Sequence, residues 1–225
     1  MEGFRHENKY FISQAGYQFL RGRLAALMQT DPHAAREDGR YWIRSLYFDG
    51  YGQSALLDKR DGIQDREKFR IRFYDRDDSF IRLESKQKRN MLTRKVSAPL
   101  TREEAEKIAA GDIWFLYGAG NPLLRDFYLK CRTRLLRPTV LVDYDREAYL
   151  FQDVRITFDH NLHTGQYGVD LFDYGAMTLP VLPDDRVILE VKFDEDLPYA
   201  VRQLLKPVAA VRSAISKYEL CRQMQ

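Results

Sequence analysis

Only two cysteines, Cys131 and Cys221, occur in the 225 residues, far apart in the chain, which excludes a disulfide-stapled scaffold. With no signal-peptide pattern, both are expected as reduced thiols of a cytoplasmic protein. Four histidines are equally sparse. His160 and His163 stand at H-x-x-H spacing, but no cysteine or carboxylate pair accompanies them, so they are read as loop residues and not as zinc ligands. No apolar run approaches the roughly 20 residues needed to cross a bilayer, so no membrane segment is expected. Internal repeats and low-complexity tracts are lacking. No P-loop, G-x-S-x-G or Rossmann fingerprint appears, so any nucleotide would be recognised through its phosphates, with the base loosely specified. Charge of one sign is lacking too: 36 Lys and Arg face 33 Asp and Glu, a net +3. An anion site must therefore come from local clustering and not from a bulk basic field. With 44% apolar and 31% charged residues, the composition is that of an ordinary globular protein, read here as one domain over residues 1–225.

What is present centres on Arg66 to Lys95, REKFRIRFYDRDDSFIRLESKQKRNMLTRK. In a strand alternate side chains share a face, so Lys68, Arg70 and Arg72 point one way and Phe69, Ile71 and Phe73 the other. Arg82, Glu84, Lys86 and Lys88 repeat the pattern opposite Ile81 and Leu83. Tyr74 to Ser79, rich in Asp, reads as the hairpin turn between them. Like charges across a strand pair repel, so this ribbon costs the fold stability unless an anion lies among its cations. A polar face on a lone amphipathic strand is ordinarily just its solvated side.

Repetition changes that reading. FRHENKYFIS places Arg5, Glu7 and Lys9 on one face and His6 on the other; Tyr144 pairs with Arg146, Arg155 with Thr157 and Asp159, and Ile188 with Glu190 and Lys192. Six strands with a charged face fit a closed antiparallel barrel, polar inside and apolar outside under helices. The helices announce themselves by caps and spacing. Ser13 precedes QAGYQFLRGRLAALMQ, with Tyr17, Leu20, Leu24 and Leu27 in register and Asp31-Pro32 as the stop. Thr101 and Glu104 form a capping box for a helix ended by Gly111. Further helices are expected over Pro122 to Arg134, in a short piece around Ser54 to Leu57, and as two segments between Pro198 and Met224. Tyr41, Trp42, Tyr47 and Phe48 read as core, and Gly165 to Asp185 has no clear pattern. A nucleic-acid groove would want cations with aromatics; Glu7, Glu84 and Glu190 among the cations point instead to a divalent metal.

RHENKY, SLYFD, REKFRIRFY, LESKQK, YDREAY, RITFD, ILEVKF and SKY, in that order from residue 5 to about residue 220, resemble the VTC domain, the polyphosphate polymerase domain of the vacuolar transporter chaperone family. That domain is one of the triphosphate tunnel metalloenzymes, which include the CYTH hydrolases and cyclases. The resemblance implies an α+β fold, an eight-stranded antiparallel β-barrel tunnel with surrounding helices. It also implies transfer of the terminal phosphoryl group of ATP to inorganic polyphosphate, assisted by Mn2+ or Mg2+, in a product that slides through the tunnel. Arg70, Arg72, Lys86, Arg146 and Lys217 are then expected at the reacting phosphates, and Lys9, Lys88, Lys95, Tyr144, Arg155 and Ser216 as further phosphate-binding residues. Glu190, with Glu7, is expected to hold the metal. The last helix would plug one mouth. A membrane-protein partner is a further implication of the resemblance.

Alternatives stay open on the residues alone. Tunnel triphosphatases carry E-x-E-x-K on the first strand; here Arg5, Glu7 and Lys9 stand at those positions. A cation in place of the first carboxylate weakens a second metal site and favours holding another phosphate, which ranks the polymerase above a triphosphatase. A polyphosphate-binding module without turnover is the third reading, and retention of the whole cage with Glu190 argues against it.

Overall fold

Capping and alternation account for most of the elements in the computed structural model of the chain, which describes residues 3–32, 34, 38–52, 57, 61, 63–165, 170–208 and 211–224. In chain order these are β1 (Arg5–Ser13), α1 (Gln14–Leu27), β2 (Gln29–Thr30), β3 (Arg40–Asp49), β4 (Arg66–Tyr74), β5 (Asp77–Arg89), β6 (Leu92–Leu100) and α2 (Arg102–Ala110). A 3-10 turn (Trp114–Leu116) leads to α3 (Pro122–Thr133), β7 (Arg137–Phe151), β8 (Val154–Gly165), β9 (Leu179–Pro180), β10 (Arg186–Phe193), α4 (Tyr199–Leu205) and α5 (Lys217–Arg222).

Local chemistry sets the ends. Ser13 accepts from Gly16 N at 3.1 Å to start α1; the capping box of α2 forms in both directions, and Gly111 closes it at φ 88°. Asp75 and Arg76, at φ 45° and 61°, make the two-residue β4–β5 turn, whose left-handed backbone conformation suits the right-handed twist of its strands. Some expectations need correction. The first helix ends at Leu27, before Asp31-Pro32, because Gln29 and Thr30 leave to pair with β7. His160 and His163 lie not in a loop but within β8, where pairing with β7 continues beyond a register shift at Asp143/Asp145. Apart from Leu57, the piece around Ser54 to Leu57 lies outside the described residues.

Eight strands close on themselves, in the order β7-β3-β4-β5-β6-β1-β10-β8 and back to β7, every pair antiparallel. This is the expected eight-stranded barrel of an α+β fold. Its main apolar packing lies outside. Phe69, Ile71, Phe73, Ile81 and Leu83 meet Ala105 and Ile108 of α2 and Phe127 of α3, while Ile156, Phe158, Leu189 and Val191 meet Tyr17, Leu20 and Leu24 of α1 and Val201 of α4. Each such side chain contributes about 1.5–3 kcal/mol on burial. With helices taking the apolar face, alternation turns the charged face of the same strands inward.

Inside, the lumen is divided. Tyr47, Val142, Tyr144, Leu162 and Ile188 form an apolar cluster with Ile215, Tyr218 and Cys221 of the C-terminal segment. Tyr218 donates to Asp49 from within it. The segment is tied to β1 through Ser213 N, which donates to Lys9 O at 2.8 Å. Both cysteines are free and buried, and burial pushes both thiols up to about 12. Among the described residues, no helix is long and apolar enough to cross a membrane.

Candidate functional site

The remaining lumen is a cavity of about 400 Å³ walled by β1, β3, β4, β5, β6, β7, β10 and residues 212–218. Eleven Lys and Arg side chains and two carboxylates, Glu7 and Glu190, line it. The β4–β5 register stacks Arg66 opposite Lys88 and Lys68 opposite Lys86, so cation faces cation across the ribbon. Only at Arg70 opposite Glu84 does the sign alternate within that stretch.

The arginines are held from behind. Arg70 donates to Glu84 Oε2 through Nε at 2.7 Å and to Tyr47 OH through Nη1 at 2.8 Å; Arg72 donates to Ser45 Oγ and to Tyr144 OH, both at 2.9 Å. Arg146 makes a bidentate pair with Asp159, 2.6 and 2.9 Å, and Lys217 reaches the same carboxylate. Burial alone would raise the Glu84 and Asp159 carboxyls, but Arg70 and Arg72 hold the first low, and Arg146 and Lys217 the second. Glu84 is therefore a buried counter-ion with Lys95 at 3.1 Å, set back from the residues that line the cavity. Forks fixed in this way need no reordering when a phosphate arrives.

Glu7 and Glu190 share Lys9, at 3.0 and 3.4 Å; Lys86 lies 2.7 Å from Glu7, and Lys192 lies 2.8 Å from Glu190. Burial opposes their ionisation and Glu190 further raises Glu7, yet the surrounding lysines keep both carboxyls well below the usual range. Lys86 moves the other way: burial pushes its ammonium down to about 7, although Glu7 pulls it up. Among the described residues no three His, Cys, Asp or Glu side chains gather to hold a metal. Two carboxylates and no nitrogen or sulfur donor suit Mg2+ or Mn2+ provided substrate phosphates complete the shell, since magnesium is commonly held by one or two carboxylates plus phosphate. The residues fit the expected metal on that condition.

Of the residues singled out from sequence, Glu7, Lys9, Arg70, Arg72, Lys86, Lys88, Tyr144, Arg146, Glu190, Ser216 and Lys217 come together in the cavity wall. Two do not. Arg155 donates to Asp31 Oδ2 at 2.7 Å and Tyr41 OH at 2.9 Å, and Lys95 lies behind the wall on Glu84. Arg5 also leaves the set on which the comparison with triphosphatases turned: it pairs with Asp194 at 2.5 Å and donates to Asp153 O, so it adds no phosphate contact. The missing first carboxylate still stands. Tyr47 is buried in the lumen cluster, as expected of a core residue, and lines the site as well; Asp159 shares the expected face, but its spacing carries no sign of its partners. Arg66, Lys192 and Arg212 also line it, the first two legible from alternation and the last in a stretch that was expected to be helical and is irregular.

Solved structures share this architecture. A candidate adenylate cyclase of Bacillus halodurans is 13% identical with a TM-score of 0.58, over 94% of this chain and 93% of that one. A Pyrococcus horikoshii protein is 11% identical at 0.51, over 98% and 99%. A candidate adenylate cyclase of Vibrio parahaemolyticus is 9% identical at 0.50, over 97% and 98%. At these identities the likeness is one of fold. No curated protein matches the sequence. The family model of the VTC domain matches residues 4–224, and with the charged lumen in place across that same span, this chain belongs to the VTC domain family.

Proposed function

We propose that the protein is a phosphotransferase that moves the terminal phosphoryl group of ATP onto inorganic polyphosphate within the barrel. The observation that carries the reading is the cation-on-cation register of β4 and β5 inside a cavity with eleven basic and two acidic side chains. Stacked cations repel, and Glu7 beside Lys86 offsets only part of that cost, so a bound polyanion would be stabilising. Phosphoryl transfer asks little covalent chemistry of a protein; it needs alignment and compensation of charge on the equatorial oxygens. Arg146, fixed by Asp159 through Nε and Nη2, keeps Nη1 for a phosphate, while Arg72 is fixed through Ser45 and Tyr144 with its Nη1 4.0 Å from Glu84. Lys9, Lys86 and Lys217 supply point charges between the forks.

Glu190 and Glu7 would hold the Mn2+ or Mg2+ together with substrate phosphates. Its bound charge would neutralise the phosphoryl group in transfer. Transfer is favoured over hydrolysis by the state of these carboxylates: both are held ionised by lysines and are weak bases, poorly suited to activating water. A polyphosphate end is already an oxyanion and needs no base. The tunnel product is not required to run the whole length of the barrel, because Ile215, Tyr218 and Cys221 fill part of it.

Incubation with ATP and Mn2+, with and without a pyrophosphate primer, tests the reading on a gel stained for polyphosphate and an assay for free phosphate. Chains appearing with ADP support it. Free phosphate without chains would assign a triphosphatase, and neither product would leave a polyphosphate-binding module.

A further inference from the structure

Two faces on the outside of the barrel complement each other in charge and shape. The 3-10 turn carries the first. Side chains three apart eclipse in such a turn, so Trp114 and Tyr117 stack, with ring centroids 5.4 Å apart and planes within 10° of parallel. Tyr128 of α3 meets both rings edge-on, at 6.2 and 5.6 Å, and fixes the pair. Trp114 and Tyr117 are nevertheless 71% and 63% exposed. Arg125 and Arg132, three residues before Tyr128 and four after it, neighbour it on the helix surface; both are exposed and have no side-chain partner among the described residues. Trp, Tyr and Arg are the residue types that carry most of the energy where proteins bind one another.

The second face follows β10. Glu195 and Asp196 are exposed and also have no side-chain partner among the described residues, and Tyr199, at the start of α4, is 76% exposed. Residues 195–199 thus present two carboxylates beside a proline and an aromatic ring, the counterparts of two guanidiniums beside an indole and a phenol. The two faces belong to different outer layers. Phe127 and Tyr128 of α3 pack in the cluster with Phe69 and Ile71, while Val201 and Leu205 of α4 pack with α1, Ile156 and Val191. At 71% and 76% exposure, Trp114 and Tyr199 do not cover each other within one chain.

We infer that the aromatic and basic face around Trp114 receives residues 195–199 of a second copy of this chain, so that the protein self-associates head to tail. The contact joins two different patches and is heterologous: every docked copy leaves one face of each kind free at the ends, and copies add until a ring closes or a filament grows. Size limits its strength. One turn and one helix flank against five residues stand at the low end of interface areas, so a Kd of roughly 10–100 µM is expected, weakened by salt. None of these residues lines the cavity, so the inference stands apart from the phosphotransferase reading.

The test is analytical ultracentrifugation of wild type up to about 500 µM, several times the weakest affinity expected, in low and high salt. Trp114→Ala with Arg125→Glu disables the first face, and Glu195→Lys with Asp196→Lys disables the second. All four positions are exposed, and melting temperature checks that the fold is kept. The average mass of wild type should rise with concentration above that of the monomer and fall back in high salt. Each double variant alone should lose association by roughly tenfold or more and stay monomeric. An equimolar mixture of the two should form a dimer and nothing larger, because one intact face of each kind remains. Wild type that is monomeric throughout, a double variant that associates as wild type does, or a mixture that stays monomeric would overturn the inference. A monomeric protein that instead sediments with phosphatidylserine vesicles would overturn it too and assign Trp114 and Tyr117 to a membrane surface.

Discussion

Asp159→Asn is the substitution that most directly probes the cage. The carboxylate is fully buried, holds Arg146 through two hydrogen bonds and also pairs with Lys217, whose side chain is 8% exposed. Removing one partner of a buried ion pair leaves uncompensated charge and costs about 3–5 kcal/mol. For a chain of this size each kcal/mol moves the melting temperature by about 2 °C, so a fall of roughly 6–10 °C is expected. A second consequence separates this from ordinary loss of packing. Arg146 and Lys217 both line the cavity, so a polyanion bound there supplies part of the missing negative charge. Saturating tripolyphosphate should therefore raise the melting temperature of Asp159→Asn more than that of wild type. Differential scanning calorimetry with and without the ligand measures both quantities. A variant as stable as wild type, or one that tripolyphosphate stabilises no more than wild type, would refute the buried triad as the support of the cage.

Three further outcomes are expected. Glu190→Gln removes a ligand charge at nearly constant volume; Mn2+-dependent turnover should fall by more than the roughly 10–100-fold that loss of an outer partner of a metal site costs, and full activity would remove Glu190 as a ligand. Ending the chain at residue 210 removes Lys217, Tyr218 and Cys221 from the lumen; activity assays and proteolysis should show lost turnover and a loosened barrel, and unchanged turnover would deny the segment its role. His160 is buried against Tyr17, and burial pushes its imidazole from 6.5 down to about 4. Its folded pKa is depressed, so stability is complete above pH 6.5 and is lost as pH falls toward 4, by roughly 2 kcal/mol at pH 5. Urea unfolding at pH 7 and pH 5 should show that loss in wild type and not in His160→Asn.

Arg44 illustrates how far the strand pattern alone reaches. Its neighbours Ile43 and Ser45 share the lumen-or-core ambiguity of any strand, yet its own guanidinium is buried on the outer side, bonded to Asp143 and to the carbonyl oxygens of Leu171 and Asp173. Nothing in the spacing of YWIRSLYFD foretells that contact, because its partners come from β7 and from a stretch without periodicity. The opposite case is Thr101 with Glu104, where both partners lie within one turn and the structure adds nothing to the sequence.

The sequence by itself determined what depends on near neighbours. Ser13, Thr101 and Gly111 end helices through bonds to residues three or four away, and period-two alternation placed Lys9, Arg70, Arg72, Lys86 and Glu190 on a common kind of face. Tertiary structure alone decided which faces meet. Closure of the barrel fixes register and shear, and a shift of one residue turns a strand's side chains to the other surface. Arg155 and Lys95 share the alternation of the others but meet Asp31 and Glu84 outside the cavity, and Arg5 is drawn to Asp194. Glu84 and Asp159 became counter-ions only through the hairpin registers that set Arg70 opposite Glu84 and Arg146 opposite Asp159, and Tyr47 a partner of Arg70 only when β3 came beside β4. The C-terminal stretch is the extreme case: residues 211–216, expected as part of a helix, run irregularly instead, and only the folded barrel, with Lys9 O and an apolar lumen to receive them, draws them into the site.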